Sequence, residues 1–267
     1  MLESTLKMLS PIREGAHGLR AMAGALLLVS LAATPLTAAG VAPADGAFAE
    51  ARRGMLDDIR AVSSAVAIGG GPQAISERTL AVLAEVPRHR FVPKDLQNEA
   101  YENRPLPIGF GQTISQPYIV AVMTDVLDCR PGDKVLELGT GSGYQAAVLG
   151  RIGARVFTIE IIPELAQSAA ARLSELDYEH VRVRVGDGYY GWPEEAPFDR
   201  IIVTAAASHI PPPLIAQLAP GGRMAIPVGG PFAVQELLLV EKSLDGTLHT
   251  RSLLPVAFVP LTGNAGR

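Results

Sequence analysis

From Lys134 onward short apolar runs alternate with helical stretches, and this restricts the fold more than any other feature of the chain. "KVLELG", "RVFTIE", "VRVRVGD" and "FDRIIVTAAA" have the length and texture of strands. "YQAAVLGRIG" and "PELAQSAAARLSEL" lie between them with helical spacing, the second opened by Pro163. A further helix in "PPLIAQLAPGGRMAIPVG" leads directly into a fifth strand, with Pro211, Pro212 and Pro213 as a rigid entry. Apolar runs of this kind belong to strands covered on both faces, so the expectation is an α/β domain with a mostly parallel sheet. The tail breaks the rhythm. "QELLLVEKS", the turn "LDGT" and "LHTRSLLPVAF" predict an antiparallel pair closing the sheet.

Upstream the pattern is helical with breaks. "MLDDIRAVSSAVA" predicts a helix ended by the glycines at 69–71, and "SERTLAVLAEVP" a second, capped by Ser76 and stopped at Pro87. "NRPLPIGFGQTISQ" reads as a Pro/Gly loop, and "PYIVAVMTDVLD" as a helix with one apolar face. The first 49 residues stand apart. Lys7, Arg13 and Arg20 precede the apolar run "AMAGALLLVSLAATPL", the layout of a secretory signal cut after Ala39 or Ala49. An uncleaved anchor and a true start near Met55 compete with that reading. The folded domain is expected over 50–267, with a helical cap over 50–130 and the α/β core over 131–267.

Composition narrows the function classes. The formal net charge is -4 and no basic run exceeds Arg52-Arg53, so nucleic-acid binding as a main task is not expected. Cys129 is the only cysteine and cannot form an internal disulfide; beside Arg130-Pro131-Gly132-Asp133 it reads as a small residue at an element end. No Cys/His cluster has zinc spacing, and no metal is expected.

"VLELGTGSGY" places Gly139, Gly141 and Gly143 at the turn after the first core strand, where ligands of open α/β sheets bind. Glu160 ends the next strand, where a carboxylate can accept from a ribose diol, and Asp187 ends the third. Three successive strand tips so equipped point to a nucleoside. Tyr144 stands where a dinucleotide fingerprint needs Gly or Ala, which makes NAD the second choice. The turn resembles that of the S-adenosylmethionine-dependent methyltransferases, whose cofactor has no phosphate. At the fourth tip Thr204-Ala205-Ala206-Ala207 offers nothing to grip an exocyclic amine, and apart from Glu160 and Asp187 the tips have no converging acids for a magnesium ion.

With "GQTISQP", "VLELGTGSGYQAAVL", "GDGYYGW", "FDRIIVTAAASHIPPPLIAQLAPGGRMAIPVG" and "FVPLTG", the chain resembles protein-L-isoaspartate O-methyltransferases from about Ile75 to its C-terminus. The resemblance implies a Rossmann-like class I fold and methylation of the α-carboxylate of isoaspartyl residues in damaged proteins and peptides. The ester then collapses to a succinimide, and repeated cycles return normal Asp. It implies S-adenosyl-L-methionine as cofactor, held by Glu137, Gly139, Thr140, Gly141, Ser142, Gly143, Glu160, Asp187, Gly188 and Thr204. It implies a substrate loop of Thr113, Ile114 and Ser115, with Ser115 as the active-site serine. On the residues alone, Ser115 could equally cap the helix opening at Pro117. His89 reads as a solvated residue, His209 as a possible substrate contact, and Tyr190 and Trp192 as lid or packing residues near the adenosine. The family and the cytosolic supply of its cofactor imply a cytoplasmic monomer with no nucleic-acid or stable membrane partner, against the export suggested by the N-terminus. A small-molecule carboxyl methyltransferase and a non-catalytic nucleoside-binding module are the alternatives.

Overall fold

The computed structural model of the chain describes residues 45–263 except 70 and 231–233. The basic and apolar parts of the signal-like segment lie outside the described residues. Helix α1 (Ala49–Ile68) turns Met55, Ile59 and Ser63 inward at four-residue spacing, and Gly69 ends it. Helix α2 (Glu77–Glu85) begins as expected: Ser76 is extended, and its hydroxyl accepts from the Thr79 N–H at 3.3 Å. No helix among the described residues is long and apolar enough to cross a membrane.

The Pro/Gly stretch is not a plain loop. Strands β1 (Leu106–Gly109) and β2 (Gln112–Ile114) pair antiparallel, Leu106 opposite Ile114, and both of those side chains are buried. Gly109, Phe110 and Gly111 turn the chain with φ of 94°, 54° and 71°. Helix α3 (Pro117–Leu127) follows two residues later.

The core then alternates as expected through β3 (Lys134–Leu138), α4 (Tyr144–Arg151), β4 (Arg155–Glu160), α5 (Pro163–Glu175), β5 (Val181–Val185), β6 (Phe198–Val203), α6 (Pro212–Gln217) and β7 (Leu218–Val228). Strands β8 (Gln235–Lys242) and β9 (Leu248–Val256) complete a seven-stranded sheet in the order β5-β4-β3-β6-β7-β8-β9. The first five of these are mutually parallel, while β8 and β9 run antiparallel. Alternate side chains of the central strands enter two cores. Val135, Val156 and Ile202 join one with α3 and α4; Leu136, Phe157 and Ile201 join the other, with Trp192 and Leu214. Cys129 is buried at the end of α3, and burial raises its thiol to about 12, so it is a packing residue.

The strand order matters for function. The chain winds outward from β3 to β5 and returns to β6 on the other flank of β3. Beyond the carboxyl ends of β3 and β6 no connection crosses the crevice, which is where an open α/β sheet receives a ligand.

Candidate active site

The turn after β3 occupies that crevice. Gly139, Gly141 and Gly143 have φ of 92°, 53° and 89°, a region L side chains enter only with strain. At Gly139 sterics add to this, because a Cβ there would stand 2.5 Å from the Thr204 hydroxyl oxygen. That hydroxyl lies 2.7 Å from the Gly139 carbonyl and 2.9 Å from the Leu138 carbonyl, tying the tip of β6 to the turn. Gly143 is the N-cap of α4 and packs close to Leu173 and Ala169. Thr140 shares a 2.6 Å hydrogen bond with Thr158 of β4.

Glu160, at the tip of β4, accepts the Gly141 N–H at 2.8 Å and the Ile162 N–H at 3.0 Å. This decides what the turn can bind. A pyrophosphate needs the amides of such a turn free and a positive environment. Here one amide is engaged by a carboxylate, and the negative charge of Glu160 lines the pocket. A cationic cofactor without phosphate suits the site. The carboxylate retains lone pairs for hydroxyl donors, since two oxygens offer about four acceptor positions.

Glu137 sits one strand inward and is fully buried, and among the described residues no donor reaches either carboxylate oxygen in good hydrogen-bond geometry. Burial raises its pKa to about 8. The Thr158 hydroxyl works against this shift and the neighbouring Glu160 adds to it.

Across the crevice, β2 presents Thr113, exposed, and Ile114, buried, with Ser115 half-buried just after it. The structure does not place Ser115 as the cap: the N-cap of α3 is Gln116, and among the described residues no hydrogen bond of the Ser115 hydroxyl to the start of α3 is formed. The entry of α3 is satisfied by Asn103, whose Oδ1 accepts the Tyr118 N–H at 3.0 Å and whose carbonyl accepts from Gln116 Nε2 at 2.9 Å.

Two cavities meet at this loop. The first, about 60 Å³, is lined by Thr113, Ile114 and Ser115 on one side and by Gly139, Thr140, Gly141, Ser142, Glu160 and Thr204 on the other. The second, about 470 Å³, extends from Thr113, Ser115 and Thr204 along Pro105, Ile119 and the segment Pro255 to Val259. Thr113, Ser115, Thr204 and Val259 line both. Nine of the residues expected at the site are thus brought together. Glu137 and Gly143 lie behind the turn. Asp187 and Gly188 lie outside both cavities: Asp187 accepts the Tyr189 N–H at 3.0 Å and lines a separate space of about 20 Å³ with Tyr189 and His209.

The histidines and aromatics divide. His89 is buried rather than solvated, stacked on Phe48 at 4.1 Å with Nδ1 2.9 Å from the Tyr101 hydroxyl. His209 is exposed and pairs with the Tyr189 hydroxyl at 3.2 Å, away from Ser115. Trp192 packs edge-on against Phe157, on the sheet face, and Tyr190 is exposed. Gln112, Gln145 and Val259 also line the first cavity and went unnoticed in the sequence. Only "FVPLTG", distinctive yet without an assigned role, hinted at Val259. That segment returns to the site because the Ala206 N–H donates to the Val259 carbonyl at 2.8 Å, and the Leu261 N–H to the Ala206 carbonyl at 2.8 Å.

A mostly parallel seven-stranded sheet closed by antiparallel strands, with a switch-point glycine turn whose amide is committed to Glu160, has the organisation of the class I S-adenosylmethionine-dependent methyltransferases. Within that class the chain belongs to the protein-L-isoaspartate(D-aspartate) O-methyltransferase family, whose model matches residues 72–266. A protein-L-isoaspartate O-methyltransferase of Cupriavidus necator is 61% identical over 223 residues, covering 84% of this chain and 86% of the relative. A solved protein-L-isoaspartate O-methyltransferase superposes with a TM-score of 0.70 at 28% identity, over 80% of this chain and 67% of that one. A Plasmodium falciparum structure in complex with S-adenosyl-L-homocysteine shares the fold, with a TM-score of 0.66 at 22% identity over 80% of this chain and 99% of that one.

Proposed function

We propose that the cleft between the glycine turn and the β2–α3 loop transfers a methyl group to the α-carboxylate of L-isoaspartyl residues in damaged proteins and peptides. One observation carries this assignment. The acceptor cavity is lined by hydroxyl, amide and apolar groups, and none of its side chains is an acid, a base or a cation. An amine or alcohol acceptor would have to surrender a proton, and this lining has nothing to take it. A carboxylate, with an ordinary pKa near about 4, is already the nucleophile.

When bound, S-adenosyl-L-methionine supplies an electrophilic methyl group on a sulfonium, with a neutral thioether as leaving group. Glu160 and the Gly139–Gly141 turn hold the nucleoside end. The Ser115 and Thr113 hydroxyls hold one acceptor oxygen in line with the methyl carbon, without the tight pairing that would quench it. Ile114, Ile119 and Val259 keep water from the reacting oxygen, and orientation of this kind is worth roughly 7–11 kcal/mol. Transfer would form the O–C bond and break the C–S bond, the electron pair leaving on sulfur, so none of these residues would have to give or take a proton. Carboxylate and sulfonium charges cancel, and no proton moves. The extended second cavity accepts the flanking peptide with little demand on sequence, as repair of many proteins requires. The place of action is the cytoplasm, where the cofactor is made; Edman sequencing of the native protein's N-terminus tests this, a mature end just after Ala39 or Ala49 pointing instead to export.

The test is transfer of labelled methyl to an isoaspartyl peptide against the same peptide with normal Asp. Incorporation confined to the isoaspartyl form is expected, and its absence overturns the assignment. Ser115→Ala removes one hydrogen bond to a charged group, worth about 1.5–3 kcal/mol, so kcat is expected to fall about ten- to hundredfold. S-adenosylhomocysteine affinity should stay unchanged; equal loss of it would make Ser115 a structural residue.

A further inference from the structure

Arg88 is the bulkiest of the fully buried side chains, and no carboxylate among the described residues offsets its charge. Its Nε donates to the Ala100 carbonyl at 2.8 Å and its Nη2 to the Ser115 carbonyl at 2.7 Å, while among the described residues Nη1 meets no acceptor in good hydrogen-bond geometry. The guanidinium stacks over the Tyr144 ring, 4.8 Å from its centroid. Burial lowers its pKa to about 10, which leaves it charged at neutral pH. A buried ion compensated by two carbonyls and a ring face is poor value for stability, since desolvation costs several kcal/mol per ion and an apolar side chain would fill the space without it.

What Arg88 grips gives it a purpose. In a trans peptide the C=O and the next N–H point in opposite directions. With the Ser115 carbonyl drawn inward to Arg88, the Gln116 N–H is directed away from it. That N–H has no acceptor among the described residues, and Ser115 and Gln116 both line the 470 Å³ cavity. A charge-assisted bond to the carbonyl also polarises the amide and makes its N–H a stronger donor.

We propose that Arg88 is a positioning residue for methyl transfer: by holding the Ser115 carbonyl inward, it sets the Ser115 hydroxyl and aims the Gln116 N–H at the acceptor carboxylate. This rests on the assignment of the cavity to an isoaspartyl carboxylate. A double-mutant cycle tests it, with Arg88→Met and Arg88→Lys each made in wild-type and Ser115→Ala backgrounds. In the wild-type background Arg88→Met is expected to lower kcat/KM for an isoaspartyl peptide on the order of tenfold to a hundredfold. Its S-adenosylhomocysteine affinity should stay within about twofold, and Arg88→Lys should recover part of the loss. In the Ser115→Ala background Arg88→Met should cost distinctly less, because one of the two groups it positions is gone and only the Gln116 N–H is left to misplace. Equal proportional losses in the two backgrounds, or cofactor affinity falling in step with kcat/KM, overturn the inference. Should Arg88→Met fail to fold, Arg88→Lys carries the same cycle by the same criteria. Wild-type protein that leaves the isoaspartyl peptide unmethylated removes the substrate assignment itself, and the positioning role falls with it.

Discussion

Glu137 and Glu160 stand on adjacent strands, Glu160 lying just past Thr158, the register partner of Glu137, yet their surroundings differ. Two backbone N–H groups meet Glu160; none meets Glu137. The unfolded chain ionises Glu137 near 4.5 and the folded chain at about 8, so between those values the unfolded state holds fewer protons. Stability should therefore fall as pH rises through that window. Glu137→Gln has no such proton to lose and should gain on wild type as pH climbs from about 5 to about 8, read as the difference in denaturation midpoints without cofactor. A difference flat in pH would contradict an uncompensated carboxyl at that position. His89 teaches the same lesson from the other side. Amid "PRHRF" it reads as solvated, and only the arrival of Phe48 and Tyr101 from distant parts of the chain makes it a core residue.

At the scale of elements, local chemistry set the long helices and central strands, while the hairpin before α3 escaped notice. Its strands are short, Pro107 is a residue strands disfavour, and Gly109 and Gly111 on either side of Phe110 read equally well as an open loop. The glycine turn was legible because its requirement is steric and local: three positive φ angles within five residues favour glycine at each. Gly139→Ala should therefore destabilise the fold by roughly 1–2 kcal/mol from the left-handed conformation alone. The contact with Thr204 adds to that cost and forces the turn open. Urea unfolding and S-adenosylhomocysteine titration are expected to show both losses, and retained affinity would mean that the turn does not shape the cofactor site.

At the scale of the molecule, the two ends of the domain complete the site or its support. Phe48 and Arg52 of the N-terminal region reach His89, Tyr101 and the Ala84 carbonyl, so a chain starting at Met55 would lose contacts that brace the cap. At the other end, Phe258 is fixed to Gln235 and Val259 lines both cavities. Ending the chain after Ala257 should abolish methyl transfer while far-UV circular dichroism stays close to that of the full chain. Retained transfer would show that this wall is dispensable.

The sequence by itself determined the α/β alternation, the antiparallel closure, the glycine turn and the family, because each rests on local periodicity, on backbone angles that favour glycine, or on contiguous motifs. Tertiary structure alone decided which of those residues share a cavity. It brought Thr113 and Ser115 against Thr204 and Val259, set Asp187 and Gly188 apart, and placed a buried Arg88 behind the Ser115 carbonyl. Those relations join groups far apart in the chain, and their geometry depends on packing that no short stretch encodes. "GQTISQP" could be recognised as a motif, but only the fold shows that its serine leaves the capping of α3 to Asn103 and faces the junction of the two cavities.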